Sequence, residues 1–270
     1  MAEQDVNQKL SPWWRRAVIL VMLVGFGILI YLTVNAYVTA PPIPEQVLTE
    51  DGQVLFSGED ISSGQEVFLK YGLMNNGSIW GHGAYMGPDF SAAYLHNLSV
   101  DAAEHAAQGR YQKGLELLTD LERKQVEADV ILMLKQNRYN ESTHVLVFTP
   151  AEVRSFENQI AVWTDFFKNP EENAGLTANL ISDPDELHDL TAFFAWASWV
   201  SVANRPDKPY SYTNNFPYDP SVGNTLTMDS ILWSAISVAV LLLGLALVLF
   251  AFGRWDFLGW KNVKEAALIE

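Results

Sequence analysis

Two long apolar runs constrain the fold of this chain more than any other feature. They occupy residues 17–38 and 231–252, and each holds 22 residues without a charged side chain. At about 1.5 Å of rise per residue, a helix of this length measures about 33 Å, against about 30 Å of bilayer hydrocarbon. Trp13 precedes the first run and Trp255 follows the second, as interfacial aromatic residues do. The runs predict two transmembrane helices.

A cleaved signal peptide is the alternative interpretation of the first run. Val38 and Ala40 fit the small-residue rule for a cleavage site. However, the run is longer than the roughly 7–15 apolar residues of a signal peptide, and Pro41 would directly follow the cut. An uncleaved anchor is therefore the favoured prediction.

Basic side chains beside the two runs predict their orientation. Cytoplasmic flanks of transmembrane helices carry an excess of lysine and arginine. The basic residues here are Lys9, Arg15 and Arg16 before the first run, and Arg254, Lys261 and Lys264 after the second. Both ends are thus expected in the cytoplasm. The expected segments are a cytoplasmic N-terminus (1–16), a span (17–38), an extracytoplasmic domain (39–230), a second span (231–252) and a cytoplasmic tail or linker (253–270).

Charge and cysteine content exclude several classes of function. Residues 39–230 hold 11 basic and 27 acidic side chains, which accounts for the net charge of −15 of the 270-residue chain. Such an acidic surface disfavours nucleic acid as a partner. The chain has no cysteine, which excludes thiolate-zinc sites, cysteine hydrolases, iron–sulfur clusters and covalently attached c-type haem. A domain of about 190 residues is nevertheless large enough to fold without disulfides.

Shorter patterns predict a mainly α-helical exported domain with one small β-hairpin. Apolar and polar residues alternate over residues 46–59 around a central Asp-Gly pair, which is a hairpin signal. The sequence TPAE at 149–152 supplies an N-cap, a first-turn proline and a capping-box glutamate, and SDP at 182–184 marks another helix start. An apolar stripe at residues 111–132 predicts a further helix.

The highest density of glycine residues lies between residues 64 and 90. Residues 64–71 are compatible with a short helix, and the remainder predicts a loop with a fixed path. Such a loop either wraps a ligand or has a purely structural role, and the pattern favours neither. Residues 40–45 and 205–224 are the candidate linkers.

This segment resembles the membrane-anchored cytochrome c subunit of bacterial nitric oxide reductases, and more closely the corresponding part of the quinol-dependent enzymes. Gly64, Val67 and Phe68 match the helix before the family's haem-attachment motif, and the sequence GHGAYMGPDF at 81–90 matches the loop after it. The resemblance extends to residues 193–196 and to YTNNFPYDP at 212–220. The two thioether cysteines and the histidine ligand of the cytochrome fall on Leu73, Asn76 and Gly77.

The resemblance implies a cytochrome c-like domain that has lost its haem. The space that the haem occupies in the cytochrome would be filled by Leu73, Met74, Ile79 and Trp80. In that family a membrane quinol reduces two molecules of nitric oxide to nitrous oxide and water. The reaction takes place in a bundle of about a dozen further helices that holds haem b, haem b3 and a non-haem iron. Two spans are too few to enclose these cofactors, and we assign no catalytic residue to this chain.

The expected role is therefore that of an N-terminal, non-catalytic portion in the bacterial cytoplasmic membrane. It would be surrounded by membrane lipid and would anchor and pack on the catalytic bundle, which is either the continuation of the same chain or a partner subunit. If the chain is complete as it stands, the alternatives are a stand-alone accessory subunit and an extracytoplasmic sensor or binding domain without enzymatic activity.

The resemblance also implies one metal site. In the cytochrome-containing relatives, the glycine and tyrosine of the loop give a backbone carbonyl and a phenolic oxygen to calcium, and here these residues are Gly83 and Tyr85. The alternative is that Gly83 turns the loop and Tyr85 packs it. His82 replaces the family's glutamate in this loop. The five histidines lack i, i+3 or i+4 pairs, so the sequence predicts no metal site made by histidines of this chain alone.

Overall fold

A computed structural model describes residues 12–169 and 173–255. Lys9, Lys261 and Lys264, which contribute to the predicted orientation, lie outside the described residues. The described helices are α1 (Pro12–Val38), α2 (Gly58–Lys70), α3 (Phe90–Tyr111), α4 (Asp120–Lys135), α5 (Pro150–Lys168), α6 (Pro184–Val202) and α7 (Met228–Arg254). The strands are β1 (Gln46–Thr49), β2 (Val54–Ser57), β3 (Ser78–Ile79), β4 (His82–Gly83), β5 (Tyr139–Asn140) and β6 (Val145–Phe148).

The first and last helices contain the two apolar runs. Residues Arg15–Val38 of α1 and Met228–Arg254 of α7 are each long and apolar enough to cross a membrane. Their apolar side chains are exposed along the whole length, which suits a lipid environment and not a soluble core. The predicted fold class, a mainly α domain with a small hairpin between two candidate spans, is confirmed.

The predicted hairpin is the start of a larger sheet. β1 and β2 pair antiparallel, as the alternating pattern indicates. β1 also pairs in parallel with β6, and β6 pairs antiparallel with β5, which gives the order β2-β1-β6-β5. Alternation along one strand does not identify a partner about a hundred residues away, so the sequence predicted only the local half of this sheet.

Helix α6 forms the centre of the domain. Every residue from Leu190 to Val202 is buried, so this helix contacts protein on all sides. Helices α2, α3 and α5 pack around it. The starts of α5 and α6 lie where the sequence predicted them: Thr149 forms a capping box with Glu152, and Asp183 caps α6 ahead of Pro184.

Two helix predictions need correction. The apolar stripe at 111–132 is not one helix, because α3 ends at Tyr111 and α4 begins only at Asp120. The buried face of α4 comprises Val126, Val130 and Leu134, whereas Leu121 and Leu132 of the predicted stripe are exposed. The helix expected at residues 64–71 begins earlier, at Gly58, because Ser57 and Asp60 form a capping box.

Candidate functional site

The three positions that align with the haem-attachment motif have other contacts in this chain. Leu73 is fully buried in the core, and the Asn76 side chain donates a hydrogen bond to the Ala174 carbonyl at 2.9 Å. A Cβ atom on Gly77 would lie 2.2 Å from the Pro88 carbonyl oxygen and 2.7 Å from the Phe90 ring. Position 77 therefore has no room for a histidine side chain.

Phe90 belongs to a cluster of aromatic rings contributed by α2, α3, α5 and α6. It stacks on Phe194 with ring centroids 5.0 Å apart, and it contacts Phe68 and Trp163 at 5.7 Å. Phe68, Phe90, Trp163 and Phe194 are all buried. Because Gly77 lies directly against Phe90, this cluster occupies the space next to the positions that align with the haem-attachment motif.

The filling of this region differs in part from the sequence prediction. Leu73 and Ile79 are buried as expected. Trp80 packs on Trp196 and donates its indole N–H to the Ala197 carbonyl at 2.9 Å. Met74, however, is 45% exposed and does not contribute to the core. The aromatic rings of four helices fill the interior instead, and no local motif shows that residues so far apart in sequence meet.

The glycine-rich loop is a tight hairpin held by one carboxylate. β3 and β4 pair antiparallel around Trp80 and Gly81, which both have positive φ, as in a type I′ turn. Asp89 accepts hydrogen bonds from Ser78 Oγ at 2.9 Å and from the Gly81 N–H at 2.6 Å. Its other oxygen accepts the Ala92 N–H and so caps α3. Asp89 thus fixes the loop to the first turn of a core helix.

The predicted calcium ligands lie at the end of β4 and just after it. Gly83 ends β4, and Tyr85 is 85% exposed, with its hydroxyl group 3.3 Å from the Gly81 carbonyl oxygen. Calcium takes about six to eight oxygen ligands. Within residues 12–169 and 173–255, no group of three His, Asp or Glu side chains is arranged to hold a metal ion. The described residues therefore offer no cluster of carboxylates that could complete a calcium site with Tyr85 and Gly83.

The histidines do not meet in a common site. His82 lies in β4 and is exposed. His188 is partly exposed, and its Nδ1 lies 3.3 Å from Asp189 Oδ1. The Nδ1 atom of His144 lies 2.9 Å from the hydroxyl oxygen of Tyr139.

Residues 205–224 are not a linker, contrary to the sequence prediction. Ser211, Val222 and Asn224 in this segment are fully buried. The ammonium group of Lys135 donates to Asn215 Oδ1 at 3.0 Å and to Asn224 Oδ1 at 2.6 Å. Burial lowers the pKa of Lys135 to about 8. These hydrogen bonds join the segment to α4 and hold it against the core.

The same segment also contacts the glycine-rich hairpin. A Cβ atom on Gly81 would lie 2.9 Å from the ring of Phe216, so a larger residue would push this ring away, and the positive φ of Gly81 also favours glycine here. Asn215, the neighbour of Phe216, donates to the Thr225 carbonyl at 3.1 Å, three residues before α7. The hairpin, residues 205–224 and the start of α7 therefore form one continuous structure.

This arrangement, a helical domain with a glycine-rich hairpin beside its aromatic core and an apolar helix at each end, is that of a helical protein with two candidate membrane anchors. Over residues 44–218 the chain matches the family of the NorB cytochrome c-like domain of nitric oxide reductase. The match covers more than half of the chain, and the chain belongs to this family. No curated protein matches the chain significantly.

Proposed function

We propose that this chain is the N-terminal, non-catalytic portion of a quinol-dependent nitric oxide reductase. The complete enzyme would convert two molecules of nitric oxide and one quinol to nitrous oxide, water and quinone. The chain would anchor its domain outside the cytoplasmic membrane and pack on a catalytic bundle that carries haem b, haem b3 and non-haem iron. Family membership supports the link to nitric oxide reductase, an oxidoreductase.

The contact between Gly77 and Phe90 is the observation that carries the haem-less part of this proposal. A c-type haem needs two thioether cysteines and an axial histidine, and the chain has no cysteine at all. The histidine position is closed by the Pro88 carbonyl and the Phe90 ring. The residues present do not fit a c-type haem. Direct reduction by a quinol would make a relay haem in this domain unnecessary.

Visible spectroscopy combined with nitric oxide consumption tests the proposal. The enzyme that contains this chain together with its catalytic bundle is expected to consume nitric oxide with quinol as electron donor and to show b-type haem bands. The 270-residue chain alone is expected to show no c-type band and no activity. A haem-binding cytochrome c produced in the same host is the control for haem attachment. A stoichiometric c-type band in this chain, or an enzyme unable to oxidise quinol, would contradict the proposal.

Calcium binding by Gly83 and Tyr85, at the end of β4 and just after it, is a separate part of the proposal. The exposed phenol of Tyr85 would complete a calcium site whose remaining oxygens come from the catalytic portion. Replacing Tyr85 with phenylalanine removes one oxygen ligand, so we expect the apparent calcium affinity of the complete enzyme to fall at least about tenfold, or about 1.4 kcal/mol. Titration of the metal-depleted enzyme with calcium measures this effect.

Tyr218 provides the matched control for Tyr85. It is also an exposed tyrosine, with 65% of its surface accessible, and it lies outside the loop at residues 81–90. The Tyr218→Phe enzyme is expected to bind calcium as the parent does. Equal calcium affinity in the Tyr85→Phe enzyme and the parent would contradict the assignment of Tyr85 as a calcium ligand.

A further inference from the structure

A pocket of about 350 Å³ lies where the domain meets helix α7. Its lining combines Pro209, Tyr210 and Asn215 with residues 225–229. Thr227 caps α7, and the uncharged run begins four residues later at Ile231. If α7 crosses the membrane, the pocket lies at the level of the lipid headgroups, because it is built around the first turn of that span.

The pocket has one polar and one apolar set of walls. Tyr210 and Asp229 are among the lining residues, and neither side chain has a hydrogen-bond partner among the described residues. The apolar walls are Pro209, Leu226 and Met228. A pocket with a few polar groups beside apolar walls suits a ligand that is itself amphipathic.

Asn215, one of the lining residues, is held in place by hydrogen bonds of its side chain. Its Oδ1 accepts from Lys135 Nζ and from the Ser211 N–H, each at 3.0 Å. Its Nδ2 donates to the Thr225 carbonyl at 3.1 Å. These bonds fix the distance between the two halves of the lining, so the pocket is already formed before a ligand binds.

The charges around the pocket select one kind of headgroup. Asp229 accepts hydrogen bonds but donates none, and the domain as a whole is strongly acidic, which disfavours an anionic ligand. We propose that this pocket binds the headgroup of a membrane amphiphile that donates hydrogen bonds, with Asp229 as acceptor and the apolar tail lying along α7. Two sources share this chemistry, a quinol and an ethanolamine phospholipid. Binding of a quinol rests on the proposed function, whereas binding of an ethanolamine phospholipid does not.

Fluorescence of the 270-residue chain in phosphatidylcholine nanodiscs tests this inference. Because the chain has no cysteine, Ile231→Cys gives a single labelling position just below the pocket lining. The labelled chain is titrated with decylubiquinol in one series and with phosphatidylethanolamine in another. We expect a saturable change in emission with at least one of the two. Tyr210→Phe removes the hydroxyl group, and Asp229→Asn removes the negative charge and one of the two acceptor oxygens, so each should weaken the apparent affinity about tenfold.

Two matched variants exclude unspecific effects. Tyr218→Phe changes an exposed tyrosine outside the pocket, and Asp185→Asn changes an exposed aspartate in the first turn of another long helix. Both should keep the parent affinity. The inference is overturned if neither amphiphile gives a saturable response, or if the pocket variants bind as tightly as the two controls. The assay involves no nitric oxide, so an enzyme inactive toward nitric oxide would overturn the proposed function and leave this result unaffected.

Discussion

Replacing Glu152 with glutamine is expected to lower the free energy of unfolding by about 3–5 kcal/mol. Both carboxylate oxygens lie 2.6 Å from Arg138 Nη2, and both residues of this pair are almost fully shielded from solvent. The neutral glutamine leaves the guanidinium charge of Arg138 buried without a counter-charge. A buried charge that loses its partner is strongly destabilising, because no water replaces the lost interaction.

The position of Arg138 explains why the effect should reach the whole domain. Its other nitrogens donate to the Val147 carbonyl at 3.0 Å and to the Met133 carbonyl at 2.7 Å. Arg138 thus connects the end of α4, strand β6 and the first turn of α5. Burial raises the pKa of Glu152, and the Arg138 charge and the hydrogen bonds from Thr149 act in the opposite direction.

Glu122 offers a closely matched control. It occupies the same third position of a capping box, with Thr119 in place of Thr149, but its ion pair with Lys113 is partly exposed. Glu122→Gln should therefore change the stability by less than about 1 kcal/mol. Denaturant unfolding of the complete chain in detergent, followed by tryptophan fluorescence, measures both variants. If both variants lost the same free energy of unfolding, the effect of Glu152→Gln would come from the capping box and not from the buried ion pair.

Features coded by neighbouring residues were predictable from the sequence. The capping box at Thr149 and the cap at Asp183 are formed within a few residues, so their patterns identify the starts of α5 and α6. The Asp-Gly hairpin is local for the same reason. Helix α3 was not predicted, because its buried residues are mixed with alanines and polar residues and show no clear apolar stripe.

Features made by distant residues were not predictable in the same way. The sequence located the glycine-rich loop, but not the aromatic rings behind it, since Phe90, Trp163 and Phe194 come from three different helices. Residues 205–224 looked like a linker because they are rich in turn-forming residues. Their order depends on Lys135, which is 80 residues or more away from its amide partners.

Replacing Gly64 with alanine is the second substitution with a large expected effect. Gly64 lies in α2, against the central helix α6. A Cβ atom at this position would lie 2.0 Å from the Asp189 carbonyl oxygen and 2.8 Å from Phe193 Cβ. Both contacts involve atoms close to the backbone, so no side-chain rotation relieves them. We expect a loss of about 3 kcal/mol or more, because the two helices must move apart.

A glycine-to-alanine change at Gly109 in α3 tests whether the loss of stability in Gly64→Ala comes from steric contact or from helix propensity. A Cβ atom at Gly109 meets no atom within 4 Å, so Gly109→Ala should stabilise the domain by about 0.5–1 kcal/mol. The two glycine-to-alanine changes are thus expected to have opposite signs in the same unfolding measurement. If Gly64→Ala also stabilised the domain, this result would contradict the close packing of α2 on α6. Since α2 carries Phe68 into the aromatic cluster and leads directly to Leu73, a shift of α2 should also change the near-UV circular dichroism of the buried rings.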